Sequence, residues 1–254
     1  MKNRRLPKPR SGGTIVIVAH RGNMASCPEN TLAAFSRAMA EGADLIETDL
    51  HVTADGVFVC LHDAKVDRTT DGSGCIVDLT YAETQRLRVN GQWPGCEGEG
   101  IPSLEDVCKI LESGVHLALE LKSARFQDER VCRRLADALH RFGVQRRTLV
   151  IASHKKYLRA FRSVDAEIPI GQISYSPIPG QGAELLGPVW PVLFLNPWYV
   201  RQAHARGQTV CPLDPRPNGR LWLYRKLGCD AVLTDDPAST IRALNKSEAR
   251  SSRR

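Results

Sequence analysis

The sequence predicts an α/β fold, a TIM (β/α)8 barrel with a β-hairpin and a small insertion after the second strand. Three observations carry that expectation. The chain has 254 residues, 42% of them hydrophobic and 25% charged, a length that one such barrel fills and a composition ordinary for a globular protein. Eight short runs are apolar enough for strands buried on both faces. Amphipathic segments lie between most of these runs, so strand and helix alternate along the chain. An open doubly wound sheet is the structural alternative.

In chain order the expected strands are TIVIVAH (14–20), DLIETDL (44–50), VHLALELK (115–122), RTLVIAS (147–153), IPIGQI (168–173), VLFLN (192–196), QTVCPL (208–213) and DAVLTDD (230–236). The clearest helical patterns are 30–42, 103–114, 127–143, 155–165 and 218–228, four of them ending at or just before a glycine, as helix termini favour. After the second strand, Asp55-Gly56 suits a two-residue type I′ hairpin turn. In that register Ala54 faces Val57, paired residue numbers sum to 111, and His62 falls opposite Asp49; a one-residue slip would move it to the other face. Residues 64–101 are Gly-rich and strand-poor, and they are expected to form an excursion on one face of the barrel.

Of 35 basic and 28 acidic residues, nine and one lie in residues 1–10 and 246–254. That leaves 26 and 27 in the body, a net charge of −1 in place of the +7 of the whole chain. The expected organisation is a basic flexible N-terminal tail (1–13), the barrel (14–245) and a basic C-terminal tail (246–254). A near-neutral body gives no footprint for a specific nucleic-acid partner. No apolar run approaches the ~18 to 20 residues of a membrane span, and Thr14–Ala19 is too short for a signal-peptide core. These features lead us to expect the cytoplasm. The eight cysteines form no C-x-x-C pair and no grouping with zinc spacing; Cys60 and Cys108 sit in apolar runs as small core residues.

Polar residues cluster where the strands end, which is where a parallel barrel builds its active site. Period two puts Val16, Val18 and His20 on one face, Glu47 and Asp49 on another, and Ala118, Glu120 and Lys122 on a third. Three carboxylates on inward faces are costly unless cations accompany them. A divalent metal with Arg21 and Lys122 nearby would meet that need.

The stretch AHRGNMASCPENTLAAFSRAMAEGADLIETDLHVTADGVFVCLHDAKVDRTTDGSG, with IPSLEDV, LALELK and GCDAVLTDDP further on, resembles the glycerophosphodiester phosphodiesterase family. The resemblance spans residues 14–243, dense to 122 and sparse from there to 227. It implies that Glu47, Asp49 and Glu120 are metal ligands for Mg²⁺ or Ca²⁺, that His20 and His62 are the catalytic acid/base pair, and that Arg21 and Lys122 bind the substrate phosphate. The PENT motif reads instead as a helix entry capped by Asn30 or Thr31, and TDDP as the start of the last helix, with Pro237 in its first turn. The chain departs from the family's tryptophan-containing motif at the end of the seventh strand, where it has VCPLDPRPNG (210–219).

The implied activity is hydrolysis of small-molecule glycerophosphodiesters such as glycerophosphocholine or glycerophosphoethanolamine to glycerol 3-phosphate and an alcohol, in lipid and glycerol metabolism. Two alternatives stand beside it. A lysophospholipase D-like enzyme would need an apolar mouth near Trp190, Phe194, Trp198 and Tyr199. A non-catalytic phosphodiester-binding module would be expected to lose catalytic groups, and all seven are present.

Overall fold

The structure is a computed structural model that describes residues 7, 9, 15–91 and 93–251. Its strands and helices follow one another as β1 (Val16–Ala19), α1 (Leu32–Ala40), β2 (Leu45–Val52), β3 (Phe58–Cys60), α2 (Tyr81–Thr84), α3 (Leu104–Ile110), β4 (His116–Leu121), α4 (Glu129–Arg141), β5 (Thr148–Ala152), α5 (Lys155–Val164), β6 (Ile170–Ser174), β7 (Leu185–Pro188), α6 (Val192–Leu195), α7 (Tyr199–His204), β8 (Thr209–Val210), α8 (Leu221–Leu227), β9 (Ala231–Thr234) and α9 (Pro237–Ser251). Eight strands run parallel in the order β8-β7-β6-β5-β4-β2-β1-β9, with β3 antiparallel on β2. Where β8 meets β9, the Asp230 amide donates to the Val210 carbonyl at 3.0 Å and the Val210 amide donates to the Asp230 carboxylate at 2.8 Å. The barrel is nearly closed, so hardly any strand edge is left unpaired.

Alternation along the strands divides the core in two. Val16, Val18, Leu45, Ala118, Leu149, Ile151, Leu185, Cys211, Ala231 and Leu233 pack inside the barrel. Their neighbours, among them Ile17, Ile46, Leu117, Leu119, Val150, Leu186 and Val232, face outward against Phe35, Leu135, Phe161, Tyr199 and Tyr224 of the helices. Each buried Val, Leu, Ile or Phe among them contributes on the order of 1.5–3 kcal/mol. Helix entries are set by side chains that accept from the first-turn amides: Thr31 for α1, Ser103 in a capping box with Asp106 for α3, and Asp128 for α4.

Two expectations need correction. The VLFLN run at 192–196 is not a strand; it is the short helix α6, and the barrel strand at this place is β7. Pro191, at φ −62° and ψ −24°, starts the helix, and the Asn196 amide returns to the Val192 carbonyl at 2.9 Å. The burial pattern is helical too, with Val192 and Leu193 inside and Phe194 and Leu195 exposed. β7 is hidden in the sequence because its four residues end in Gly187-Pro188.

The hairpin register differs by one residue. Leu50 pairs with Cys60, His51 with Val59 and Val52 with Phe58, so paired numbers sum to 110. The loop is three residues long: the Thr53 amide donates to the Val57 carbonyl at 3.0 Å, and Gly56 sits at φ +87°, the position that such a loop reserves for glycine. Thr53 stabilises it, its hydroxyl donating to Asp55 at 2.6 Å and accepting from the Val57 amide at 2.8 Å.

At the C-terminus α9 starts at Pro237, in the TDDP segment expected to open the last helix, and continues to Ser251. The expected N-terminal tail lies outside the described residues except for Pro7 and Pro9. Within 64–101 the described residues form α2, a 3₁₀ turn at Ile76–Asp78 and two isolated bridges. Val66, Ile76 and Ile101 from this excursion pack on Val59 and Leu61 in a small separate core.

Candidate active site

The carboxyl ends of β1, β2 and β4 carry the charge. Register places Asp49 beside Glu120 and Glu47 beside Ala118 on adjacent strands, and one oxygen from each of Glu47, Asp49 and Glu120 lies within 4.8 Å of the other two. All three residues are buried. Burial pushes the Glu47 carboxyl well above the usual carboxylate range, and the like charges of Asp49 and Glu120 add to it. Glu120 is also raised, by burial against the opposing pull of Lys122. Asp49 Oδ1 accepts no hydrogen bond; its nearest cation is Lys122 Nζ at 3.3 Å. A compact group of buried, all-oxygen donors with an unsatisfied carboxylate oxygen fits a hard divalent cation.

Two protein cations border this group. Lys122 Nζ is 2.9 Å from Glu120 Oε1; burial works against its charge, but Asp49, Glu120 and Glu47 outweigh that and hold its pKa above the ordinary value. Arg21 follows β1 in a left-handed turn at φ +54°. Its amide donates to Glu47 Oε2 at 3.0 Å, its Nε lies 3.1 Å from Asp49 Oδ2, and its Nη1 donates to Glu29 at 3.0 Å. Gly22, next in the turn at φ +86°, has no room for a Cβ, which would stand 2.6 Å from the Ala34 carbonyl carbon. The turn is thereby pressed against α1.

Each histidine is bound through Nδ1 to a carboxylate. His20 Nδ1 is 2.8 Å from Asp235, at the end of β9, and His20 lines the barrel mouth with Glu47 and Glu120. His62 Nδ1 is 2.6 Å from Asp63. By sheet order His20 stands on the β9–β1 flank of the carboxylates, and His62 follows β3 on the β2 side, close enough to Glu120 to lower its carboxyl pKa. Strand alternation does not bring His62 here, because β3 ends at Cys60 and the expected register was off by one. The chain leaves the strand and turns back, with the Leu61 amide on the Asp49 carbonyl at 3.0 Å and His51 Nε2 donating to the His62 carbonyl at 3.2 Å.

All seven residues singled out in the sequence therefore belong to one end of the barrel, and the structure adds a supporting set that sequence reading missed. Thr31, not Asn30, caps α1. Asn30, left-handed at φ +57°, donates to Asp49 Oδ2 at 2.9 Å and accepts from Thr48 at 2.7 Å. Arg68 bridges Asp63 to Glu29, and Glu29 reaches Arg21. The Arg68 hydrogen bond, with His62 assisting, holds the Asp63 carboxyl down at about 2. Burial alone would raise Glu29, but Arg68 and Arg21 keep it below its ordinary value. The acidic neighbours in HD and TDD were the available signal for Asp63 and Asp235; nothing local marks Arg68.

The opposite wall of the mouth is apolar. Leu149, Ile151, Ile173, Leu185 and Leu213 face Glu47 and Glu120 across a cavity of about 50 Å³. In the segment 210–219 Asp214 is buried and binds Arg220 Nε and Nη2, both at 2.7 Å, while the Arg220 guanidinium lies 4.2 Å above the Trp190 ring. Of the aromatics considered for an apolar mouth, Tyr199 is fully buried core and Phe194 and Trp198 are exposed. A larger groove of about 710 Å³ between the hairpin turn, α3 and α4 contains none of the clustered groups.

The chain matches the glycerophosphoryl diester phosphodiesterase family over residues 20–239. It is 29% identical over 246 residues to a glycerophosphodiester phosphodiesterase of Caldanaerobacter subterraneus subsp. tengcongensis, covering 91% of this chain and 98% of the relative. It is 28% identical over 239 residues to the glycerophosphodiester phosphodiesterase of Bacillus altitudinis, covering 89% and 96%. Among solved structures, an Oleispira antarctica phosphodiesterase in complex with the product sn-glycerol-3-phosphate superposes with a TM-score of 0.81 at 27% identity, covering 91% of this chain and 96% of that one.

Proposed function

Because the chain belongs to the glycerophosphoryl diester phosphodiesterase family, we propose that it hydrolyses glycerophosphodiesters, such as glycerophosphocholine or glycerophosphoethanolamine, to glycerol 3-phosphate and an alcohol. One observation carries the reading for this chain: three buried carboxylates within 4.8 Å of one another, bordered by Arg21 and Lys122 and flanked by two histidine–aspartate pairs. Residues 14–245 are the catalytic unit in this proposal, with the 64–101 excursion supplying Arg68 beside His62. The cytoplasmic place in lipid and glycerol metabolism expected from the sequence belongs to the proposal too.

Glu47, Asp49 and Glu120 would hold Mg²⁺ or Ca²⁺. A divalent ion held by them supplies polarisation of the phosphoryl group and offsets its negative charge. Arg21 and Lys122 take the non-bridging oxygens and stabilise charge that develops there. Asp235 and Asp63 each accept the Nδ1 proton of their histidine, which fixes the tautomer and leaves Nε2 to exchange protons. One histidine removes the proton from the nucleophile as its oxygen attacks phosphorus. The other delivers a proton to the alcohol oxygen as the P–O bond breaks. The nucleophile is water or the adjacent glycerol hydroxyl, the second route passing through a cyclic phosphate that water then opens.

Release of glycerol 3-phosphate from glycerophosphocholine, and of its acylated counterpart from lysophosphatidylcholine, tests the reading with and without chelator. The expected result is turnover of the water-soluble diester, abolished by EDTA and restored by Mg²⁺ or Ca²⁺. Turnover of lysophosphatidylcholine alone favours the lysophospholipase D reading. No turnover of either rejects both, and full activity after exhaustive chelation rejects the metal assignment.

A further inference from the structure

Six large hydrophobic side chains stand exposed among the described residues: Tyr175 (76%), Ile178 (70%), Phe194 (56%), Leu195 (75%), Trp198 (64%) and Trp222 (63%). None is scattered over the rest of the surface. All six lie on the connections that follow β6, β7 and β8. Tyr175 is the first residue past β6, and Phe194, Leu195 and Trp198 follow β7 within ten residues of its end. They therefore start from the carboxyl rim of the barrel, the rim that carries the carboxylates, on the side continuous with its apolar wall. The connection from β6 to β7 contains no helix, so one stave of the outer layer is absent here and its place is taken by loop. Asn196 ties the two loops together by donating to the Pro177 carbonyl at 2.8 Å.

The exposed charge carried by these connections and by the start of α5 has one sign. In the segments 153–157, 174–183, 188–202 and 211–220 the single acidic residue is Asp214, buried and bound by Arg220 and Tyr224. Lys155, Lys156, Arg201 and Arg216 are exposed in the same segments. Isolated exposed hydrophobics need no explanation, but a contiguous set bordered by polar groups marks an interaction surface. Aromatic and aliphatic tips among cations are the composition that seats in a lipid headgroup region and is drawn to anionic lipid. A second copy of the chain would bring these cations against their like.

We propose that this rim docks on the surface of a membrane containing anionic phospholipid. Tyr175, Leu195 and Trp198 enter the headgroup layer, and Lys155, Lys156, Arg201 and Arg216 meet its negative charge. The docking requires no particular reaction. Only its consequence, that a diester held at the membrane surface is presented to the carboxylate site, rests on the phosphodiesterase reading.

The test is co-sedimentation of the full chain with vesicles of phosphatidylcholine and of phosphatidylcholine mixed with phosphatidylglycerol. Compared with it are the double variants Leu195→Asp/Trp198→Ala and Lys155→Ala/Lys156→Ala, and a chain lacking residues 1–10 and 247–254. Hydrolysis of a water-soluble diester, unchanged in the variants, shows that they are folded. If the reaction itself proves to be another, circular dichroism serves that purpose, so the docking result stands apart from the functional one. Binding is expected to prefer the anionic vesicles and to weaken with salt. It should fall ~10-fold or more in Leu195→Asp/Trp198→Ala, a few-fold in Lys155→Ala/Lys156→Ala, and little in the truncated chain. Brominated lipid should quench part of the wild-type tryptophan fluorescence, and that part should be lost with Trp198→Ala. The proposal is overturned if neither vesicle is bound, if binding survives Leu195→Asp/Trp198→Ala, if it disappears with the tails alone, or if that double variant instead converts a dimer to a monomer.

Discussion

The barrel mouth has two halves built by the same rules. On and just past β1, β2 and β4 the last inward positions are His20, Glu47, Asp49 and Glu120; on and just past β5, β6, β7 and β8 the mouth is lined by Ile151, Ile173, Gly187 and Cys211. Both halves alternate with period two, so fold and function separate here: alternation decides which residues face inward, and residue type decides which inward positions do chemistry. The charged half is expensive. Three carboxylates out of water repel one another, and Arg21, Lys122, Asn30 and Glu47's bond from the Arg21 amide offset that only in part, as the raised Glu47 and Glu120 pKa values show. The apolar half excludes water from one side and so strengthens each electrostatic interaction opposite it.

Removing a carboxylate should break the contrast most severely. Glu120→Gln is expected to lower kcat/KM by ~10³-fold or more, since under the proposed assignment it takes away a ligand for the cation, and with it the partner of Lys122. Isothermal titration with Mg²⁺ or Ca²⁺ should show weakened binding while circular dichroism stays unchanged. Wild-type activity in this variant would show that Glu120 is spectator charge.

A smaller loss is expected at Asn30, which touches Asp49 without belonging to the cluster. Asn30→Ala should cost ~10- to 100-fold in metal affinity or activity, whereas Thr31→Ala should lower the melting temperature without a comparable loss of turnover. Equal behaviour of the two variants would return Asn30 to a purely structural part.

These two residues also show how far sequence reading went. The inward faces of β2 and β4 were legible because strict alternation inside a buried strand leaves two choices, and one placed Glu47, Asp49 and Glu120 together. Asn30 was not, because its role depends on a left-handed backbone imposed by the turn at Arg21 and Gly22, and a capping role is the ordinary reading of an asparagine before a helix. β7 was missed because a four-residue strand ending in Gly187-Pro188 carries less apolar signal than the helix after it. His62 reached the site although its register was misjudged, because the chain bends after Cys60.

The smallest effect concerns stability and pH. With no cation bound, burial and then the neighbouring carboxylates raise Glu47 above its unfolded pKa of 4.5, so the folded chain holds a proton that the unfolded chain releases. Stability from this group is therefore full below the unfolded value and declines as pH rises from it toward the raised folded value. A divalent cation held as proposed would bind the deprotonated carboxylates of the folded state and oppose that decline. The gain in melting temperature on adding Mg²⁺ or Ca²⁺ should accordingly be larger at neutral than at mildly acidic pH. Asp63 does not confuse the window: held at about 2 by Arg68, its contribution is complete above its ordinary value of 3.8 and is lost only as pH falls through about 2. A cation-induced gain that is independent of pH would mean that Glu47 is not a ligand.

In the proposed mechanism two histidines, each held by a carboxylate on a different flank of the cluster, divide proton transfer between them. An aliphatic alkoxide such as choline's must be protonated as it leaves, whereas p-nitrophenolate leaves without help; removal of the nucleophile's proton is needed for both. Turnover of glycerophosphocholine and of glycerol p-nitrophenyl phosphate by His20→Ala and His62→Ala, after confirming that each variant still binds the cation, separates the roles. One variant should lose ~10²- to 10⁴-fold on glycerophosphocholine and far less on the nitrophenyl ester, identifying the acid, while the other loses similarly on both, identifying the base. Equal losses for both variants on both substrates, with chemistry limiting the rate, would contradict the division and leave at least one histidine as a phosphate-positioning group.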